Sequence, residues 1–271
     1  MRFLIPLAAA LAFAAPAAAS VPRFGHVVVV VFENEERSSI AGNPAAPTFA
    51  ALAHRYASLT HYDAVAHPSL PNYLALVSGS TDGITSDCTS CVVHARNLAD
   101  TLAAAGRTWK VYAEDLPQPG YTGAFAGRYA KKHDPFLYFA DVAASRARRD
   151  RVVPFAQLAG DVKHRQLPDF SLVVPNLCDD MHDCSVATGD AWLRRNVVPL
   201  LSSPALGPHG VVFVVFDEGH TGPAAAATSR RSCSARSCGA APSTRPRRAI
   251  TGCCARSSRR GGCPTSAVQP A

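Results

Sequence analysis

The sequence predicts an α/β domain in which a largely parallel sheet carries helices on both faces. Two apolar, mostly β-branched runs point to it, HVVVVVF at 26–32 and VVFVVF at 211–216. A strand buried on both faces is apolar at every position, as these runs are apart from His26. Between them strand-like and helix-like segments alternate, which is typical of parallel strands joined by crossover helices.

The segments between the two runs divide into helices and strands by their periodicity and end signals. Pro71 leads into one predicted helix and Gly106 follows another. These positions agree with the preference for proline at helix starts and glycine after helix ends. Helices are predicted at 47–57, 72–77, 97–105, 154–164 and 190–201. Further strands are predicted at 109–112 and 170–174.

The formal net charge of +7 over 271 residues comes from one segment of the chain. Nine arginines and no acidic residue follow Gly219, so the rest of the chain has 18 basic and 20 acidic residues. Such a domain lacks the basic surface of a nucleic-acid-binding protein, and we expect no nucleic-acid partner.

The first 20 residues have the pattern of a secretory signal peptide. Arg2 precedes a short apolar run at 3–13, and small residues follow up to Ala19 and Ser20. The run is shorter than the roughly 20 apolar residues of a membrane span. We therefore expect a secreted or periplasmic protein without a transmembrane segment.

Four cysteines precede the basic tail, Cys88, Cys91, Cys178 and Cys184. In an oxidising compartment their close spacing predicts two local disulfides, 88–91 and 178–184. A four-thiolate zinc site is the alternative, favoured by the first spacing, CxxC, but not by the second.

Acidic and amide side chains directly follow both buried runs. Glu33 and Asn34 come after the first run, and Asp217 and Glu218 come after the last. Ligands of open α/β sheets bind beyond the carboxyl ends of the strands, so we expect these side chains at one edge. Acids at strand ends also cap loops, but two such pairs together favour a divalent metal site.

A second candidate is the segment HPSLPN at 67–72. Pro71 suits the first turn of a helix, which places Ser69 at a helix N-terminus where free N–H groups bind anions. A hydroxyl in that position, next to a metal ion, is suited to attack phosphorus. The alternative is an ordinary helix-capping serine, although His67 and Asn72 beside it favour the functional interpretation.

Two further histidines lie in polar segments, His133 in KHDPF and His182 in DDMHD. A histidine beside a leaving alkoxide can donate its proton near neutral pH. One surrounded by acids can equally form a surface ion pair, and spacing alone does not decide between these roles for His182.

Taken in order, these segments resemble the secreted bacterial phosphoesterase family, which contains acid phosphatases and phospholipase C enzymes of the alkaline-phosphatase-like superfamily. The resemblance runs from about residue 24 to residue 218 and includes FEN, HPSLPNYLALVSG, KHDPFLYF, VPNLCDDMHDC, GDAWL and VVFVVFDEG. It implies a three-layer α/β/α sandwich at 21–219 and metal-dependent hydrolysis of phosphate esters.

The resemblance also implies roles for particular residues. Ser69 matches the nucleophile, and Asn72 matches the residue that holds the phosphoryl oxygens. His133 and His182 match phosphate-binding or proton-donating histidines. The ligands implied for a divalent metal ion, of which neither the identity nor the number follows from the sequence, are Glu33, Asn34, Asp217 and Glu218.

The segment 220–271 departs from this pattern. After Gly219 there is no Leu, Phe, Tyr or Trp, whereas five cysteines and nine arginines lie close together. In a frame shifted to the third codon base, Cys codons and Ser codons of the TCN type would encode apolar residues. With GC-rich codons, 227–235 and 250–267 can then be read as a strand and an amphipathic helix. The sequence therefore predicts a frame-shifted, disordered tail and an incomplete domain.

Three functions follow from these observations. A phosphate-ester hydrolase of the acid phosphatase type is favoured. A phospholipase C that acts on lipid headgroups is less favoured, because no membrane-binding segment is evident. The defective tail makes a catalytically dead phosphate-binding protein the third possibility.

Overall fold

The computed structural model describes residues 22–220 and the strand Ala227–Arg231. The predicted signal peptide at 1–20 and most of the predicted tail lie outside the described residues. Within the described ranges, no helix is long and apolar enough to cross a membrane.

One large sheet dominates the structure. The strands are β1 (Val27–Phe32), β2 (Ala57–Leu59), β3 (Trp109–Ala113), β4 (Phe125–Ala126), β5 (Tyr129–Ala130), β6 (Val152–Pro154), β7 (Phe170–Val174), β8 (Val211–Phe216) and β9 (Ala227–Arg231). The sheet has the order β2-β9-β8-β1-β7-β3-β6, and β4 and β5 form a separate hairpin. The five strands from β8 to β6 are parallel, which confirms the predicted sheet type.

Helices cover both faces of this sheet. They are α1 (Arg37–Ile40), α2 (Pro47–Arg55), α3 (Ser69–Ser78), α4 (Leu98–Ala104), α5 (Ala140–Ala144), α6 (Arg146–Arg149), α7 (Gln157–Lys163), α8 (Val186–Asn196) and α9 (Val198–Ser202). Successive β1 side chains point to opposite faces, so Val28 and Val30 pack with Trp192 of α8 while Val29 and Val31 pack with Leu74 of α3. The three-layer α/β/α sandwich is therefore confirmed.

All five predicted helices have different bounds in the structure, and the differences are largest in three of them. The segment 154–164 begins as strand β6, and its helix starts only at Gln157. The segment 190–201 forms two helices that meet at Val197, close to Pro199, whose missing N–H interrupts a helical ladder. The helix predicted at 72–77 starts earlier, at Ser69, which matters for the site described below.

Part of the segment predicted to be disordered is a strand. β9 pairs antiparallel with β8 on one side and with β2 on the other. The ladder is built from backbone N–H and C=O groups, which do not require the apolar side chains that this segment lacks. The structure thus describes Ala227–Arg231 as a strand, and the remainder of 221–271 lies outside the described residues.

The four cysteines of the domain form two local pairs. Cys88 is joined to Cys91 and Cys178 to Cys184, with Cα–Cα distances of 5.8 and 4.7 Å. The pairing agrees with the predicted disulfides and leaves these sulfur atoms unavailable for a four-thiolate zinc site.

A buried carboxylate connects two helices on one face of the sheet. Asp190 of α8 is 5% exposed, and it accepts hydrogen bonds from Thr48 N, Thr48 Oγ1 and Phe49 N at 2.8, 2.8 and 3.0 Å. The residue before α2 provides no side-chain cap, so Asp190 satisfies the first N–H groups of that helix from a distance in sequence.

We expect Asp190→Ala to lower the free energy of unfolding by about 3 kcal/mol, because three donors lose a charged acceptor. Urea denaturation measures the effect. Asp150→Ala is the control, since Asp150 pairs only at the surface with Arg146, and it should change the unfolding free energy by less than about 0.5 kcal/mol. Equal losses in the two variants would contradict the capping role.

Candidate active site

The carboxyl ends of two neighbouring strands bring the predicted acids together. β1 and β8 are parallel and in register, with Phe32 opposite Phe216, so Glu33 and Asp217 follow at the same level of the sheet. Glu33 is fully buried and Asp217 is 7% exposed. The prediction that these strand ends meet at one edge is confirmed.

The head of helix α3 places Ser69 against Glu33. The Ser69 hydroxyl donates to Glu33 Oε2 at 3.0 Å, and the Tyr73 hydroxyl, one turn later, donates to Glu33 Oε1. Ser69 is the first residue of the helix and 1% exposed, and it makes no capping hydrogen bond. The helix-capping interpretation of this serine is therefore wrong.

The backbone at the head of α3 offers fewer free donors than the sequence suggested. Leu70 N donates to Asp87 Oδ1 at 2.9 Å, and Pro71 has no N–H. Two of the N–H positions that normally receive an anion at a helix start are thus occupied or missing.

His133 is buried beside Glu33. Its Nε2 lies 3.3 Å from Glu33 Oε2 and its Nδ1 lies 3.3 Å from Asp180 Oδ2, while its ring stacks on Tyr73 at 5.2 Å. The Nε2 contact lacks the alignment of a hydrogen bond and leaves this nitrogen without a hydrogen-bond partner. Burial lowers the pKa of His133 well below its ordinary value, and the charge of Lys132 adds to that effect.

His182 lies in the loop closed by the Cys178–Cys184 pair. Its Nδ1 is 2.7 Å from Asp183 Oδ1 and its Nε2 is 3.0 Å from Lys132 Nζ. Its ring centre is 5.8 Å from that of His133. Glu33, His133 and His182 each offer a ligand atom, and these atoms lie within 4.8 Å of one another, a spacing that could hold a metal ion.

Asp180 is a site residue that the sequence analysis did not single out. It is fully buried, accepts from His182 N at 2.7 Å through Oδ1 and faces His133 through Oδ2. Its own backbone carbonyl accepts from Glu33 N at 2.9 Å, which fixes the cysteine loop to the end of β1. The segment DDMHD contains three acidic residues, and only the fold shows which one faces inward.

The remaining predicted residues lie around this cluster. Glu218 Oε2 contacts His67 Nδ1 at 2.8 Å and accepts from Asn72 Nδ2 at 3.3 Å. Asn72 also accepts from Val65 N and Ala66 N through Oδ1, both at 3.0 Å, so its side chain fixes the preceding loop as well as Glu218. These contacts differ from the predicted role of Asn72 as a phosphoryl-binding residue.

Asn34 turns the chain away from the sheet directly after Glu33. Its φ of +57° lies in the left-handed region, which asparagine tolerates better than most residues. Its backbone N–H donates to Asp217 Oδ1 at 3.2 Å, and its side chain reaches the cleft.

The buried carboxylates of Glu33, Asp180 and Asp217 lie close together, and too little positive charge lies near them to stabilise their ionised forms. Burial and neighbouring acids raise the pKa of Glu33 and Asp180, and burial raises that of Asp217. Asp180 Oδ2 and Asp217 Oδ2 are buried without a hydrogen-bond partner in the described structure. Carboxylate and imidazole groups with unsatisfied lone pairs fit a divalent cation.

A polar cleft of about 280 Å³ opens beside this cluster. Burial, with the charges of Asp217 and Asp87, raises the pKa of Glu218 at its wall to about 8. The lining residues are Asn34, His67, Pro68, Ser69, Asp87, Lys132, His182, Glu218 and His220. Four of the predicted site residues, Asn34, Ser69, His182 and Glu218, therefore border one cleft, and Glu33, His133 and Asp217 lie in the buried cluster.

The chain is similar to known phosphatases over most of its domain. It is 42% identical over 184 residues to a phosphatidylinositol-3-phosphatase of Mycobacterium tuberculosis, covering 67% of this chain and 59% of that protein. It is 32% identical over 169 residues to a phosphate-repressible acid phosphatase of Penicillium chrysogenum, covering 60% of this chain and 41% of that protein. The chain thus spans about half the length of these relatives.

A more distant likeness concerns the fold alone. A Bacteroides thetaiotaomicron protein, solved in work on the metabolism of multiple glycosaminoglycans, superposes with a TM-score of 0.51 at 13% identity. The superposition covers 77% of this chain and 67% of that one.

The family comparison agrees with the motifs that the sequence analysis identified. The Phosphoesterase family matches residues 42–232, a range that includes Ser69, both histidines, the acids after β8 and strand β9. The family match covers more than half of the chain, and the 42% identity to a phosphatase extends over 67% of the chain. The chain therefore belongs to the Phosphoesterase family.

Proposed function

We propose that this chain is a metal-dependent phosphatase that hydrolyses phosphate monoesters with Ser69 as the nucleophile. The observation that carries the proposal is the position of the Ser69 hydroxyl. It donates to Glu33 within a buried carboxylate and imidazole cluster and borders a polar cleft. Two relatives named as phosphatases support monoester hydrolysis over a phospholipase C activity.

The donor set supports a divalent cation at the cluster. Glu33 and Asp217 keep the ligand role expected from the sequence, and His133, whose Nε2 has no hydrogen-bond partner among the described residues, joins them as a nitrogen donor. His182 would be a further nitrogen donor if a cation replaced the Lys132 ammonium at its Nε2. A cation bound there supplies charge that lowers the pKa of the serine hydroxyl and neutralises the phosphoryl oxygens. Asn34 and Glu218, also predicted as ligands, border the cleft beside this group.

The residues of the chain account for the remaining parts of the reaction. Ser69 Oγ attacks phosphorus in line with the departing alcohol, and its proton faces Glu33 Oε2. Tyr73 holds the other oxygen of Glu33 and so fixes the orientation of that carboxylate. Positioning of this kind supplies much of the rate of phosphoryl transfer.

His67 is the better-placed proton donor for the leaving alcohol. It borders the cleft, its side chain is 55% exposed, and Glu218 holds its Nδ1. His133 is 1% exposed with a depressed pKa, so a proton-donating role for it near neutral pH is not supported. After the alcohol leaves, His67 takes a proton from the water that releases phosphate from Ser69.

Turnover of p-nitrophenyl phosphate by the full chain tests the proposed function. We expect hydrolysis that EDTA abolishes and that Zn²⁺, Mn²⁺, Mg²⁺ or Ca²⁺ restores. Parallel assays with bis(p-nitrophenyl) phosphate and phosphatidylcholine vesicles distinguish a phosphodiesterase of the phospholipase C type. Absence of monoester hydrolysis with every added metal would refute the proposal and favour a catalytically dead phosphate-binding protein.

We expect His67→Gln to slow hydrolysis of glycerol 2-phosphate by about 100-fold, because an alkoxide leaves poorly without a proton. Hydrolysis of p-nitrophenyl phosphate should fall by less than about tenfold, because p-nitrophenolate needs no protonation to leave. His54→Gln, at an exposed position of α2, is the control and should change neither rate. Equal losses on both substrates would remove His67 from the proton-transfer role.

A further inference from the structure

Lys132 is the one lysine or arginine among the described residues that line the cleft. Its ammonium nitrogen lies 3.0 Å from Asp87 Oδ2 and 3.0 Å from His182 Nε2, and its side chain is 13% exposed. An ammonium group has three N–H donors, so one donor remains for a ligand in the cleft.

Asp87 links this ammonium to the nucleophile. While Oδ2 accepts from Lys132, Oδ1 accepts from Leu70 N at 2.9 Å, the residue directly after Ser69. One carboxylate therefore holds both the head of α3 and the lysine. The distance between the serine and the ammonium depends on two hydrogen bonds rather than on a freely rotating side chain.

The hydrogen bond from Leu70 N to Asp87 reduces the number of backbone donors that can bind an anion at the head of α3. Leu70 N is occupied by Asp87, and Pro71 contributes no N–H to the helix start. Asp87 adds negative charge to the cleft that must accept a phosphoryl group. A positive charge near the head of α3 would take the place of the missing backbone donors on that side of the cleft.

We propose that Lys132 is a substrate-binding residue whose ammonium donates to a non-bridging phosphoryl oxygen, with Asp87 as its positioning residue. The inference rests on the proposed function and specifies how the same site recognises its substrate. A charge that is already in place stabilises the phosphoryl oxygens during the attack without reorganisation. A flexible lysine on the surface would not have this advantage.

Four variants of the full chain test the inference, Lys132→Met, Lys132→Arg, Asp87→Asn and the control Lys110→Met. Lys110 also forms an ion pair, with Asp161 at 2.6 Å, but it is absent from the lining of the cleft. Calorimetric titration with inorganic phosphate gives binding, and p-nitrophenyl phosphate kinetics give kcat and KM separately. Thermal melting shows whether each variant is folded.

We expect Lys132→Met to weaken phosphate binding at least about tenfold and to lower kcat/KM about 100-fold. Lys132→Arg should recover part of both losses, and Asp87→Asn should lose about tenfold in kcat/KM with a smaller change in phosphate affinity. Lys110→Met should leave both quantities unchanged.

Two results would overturn the inference. Folded Lys132→Met or Asp87→Asn protein with wild-type phosphate affinity and kcat/KM would show that the pair only stabilises the fold. Equal losses in Lys110→Met would show the same. If the wild-type chain is active and the variants give either of these results, the proposed function stands and only the proposed role of Lys132 is refuted. A wild-type chain that neither binds phosphate nor hydrolyses the monoester refutes both.

Discussion

Replacing Ser69 with alanine is expected to reduce turnover of p-nitrophenyl phosphate on the order of 10⁴-fold or more, because loss of a nucleophile cannot be offset by binding groups. The fold should remain. The hydroxyl makes one hydrogen bond to Glu33, and its removal should change the free energy of unfolding by only about 1 kcal/mol. Steady-state kinetics and a thermal melt on the same preparation measure both effects.

Ser78→Ala is the matched control for that experiment. Ser78 lies at the other end of the same helix, where its hydroxyl donates to Leu74 O at 2.9 Å. Its loss should alter stability to a similar degree and leave turnover unchanged. Folded Ser69→Ala protein with activity within about tenfold of wild type would exclude Ser69 as the nucleophile.

The fold could be predicted where burial dictates composition. β1 and β8 are apolar at nearly every position because both faces of the sheet are covered, and β8 has the predicted bounds. The edge strands β2 and β6 have three residues each, too few to show a period. They exist because a longer neighbouring strand provides the backbone partners, which no local pattern reveals.

The site could be predicted in part for a similar reason. Glu33, Asp217 and Ser69 directly follow a strand or begin a helix, so the topology alone brings them together. Asp180 and Asp87 reach the site from loops, and the path of a loop depends on contacts distant in sequence. The carboxylates that follow the strands could consequently be predicted from the sequence, and those on the loops could not.

The buried cluster also changes how the histidines are understood. From sequence, His133 and His182 are proton donors or phosphate ligands, because histidine most often titrates near neutral pH. Burial of His133 between Glu33 and Asp180 disfavours its charged form, and its geometry suits a neutral nitrogen ligand. The partly exposed His67, which borders the cleft, is the histidine for which we propose the proton-donating role.

Glu33→Gln is expected to abolish metal-dependent activity and, in the metal-free protein, to increase stability at neutral pH. Burial, then the charges of Asp217 and Asp180, raise the pKa of Glu33 above its ordinary 4.5. The metal-free folded state therefore holds this proton more tightly than the unfolded chain does. Its stabilising contribution is present below pH 4.5 and is lost as the pH rises through the folded pKa.

Thermal melts of EDTA-treated protein from about pH 5 to about pH 8 test whether stability falls as the pH rises. The melting temperature of wild type should fall as the pH rises, and Glu33→Gln should remove part of that fall because glutamine carries no charge to bury. Added Zn²⁺ or Mn²⁺ should raise the melting temperature of wild type at neutral pH, since a ligand that binds only the folded state stabilises it. The variant should show little of this increase.

Glu36→Gln is the control, because it removes the same charge three residues away, where Glu36 is partly exposed and accepts from Ser39 Oγ. It should keep the metal-induced stabilisation, the pH dependence and the activity of wild type. Metal-induced stabilisation of Glu33→Gln equal to that of wild type would place the cation elsewhere. A wild-type melting temperature that rises with pH in EDTA would show that Glu33 is not a strained carboxylate in the metal-free fold.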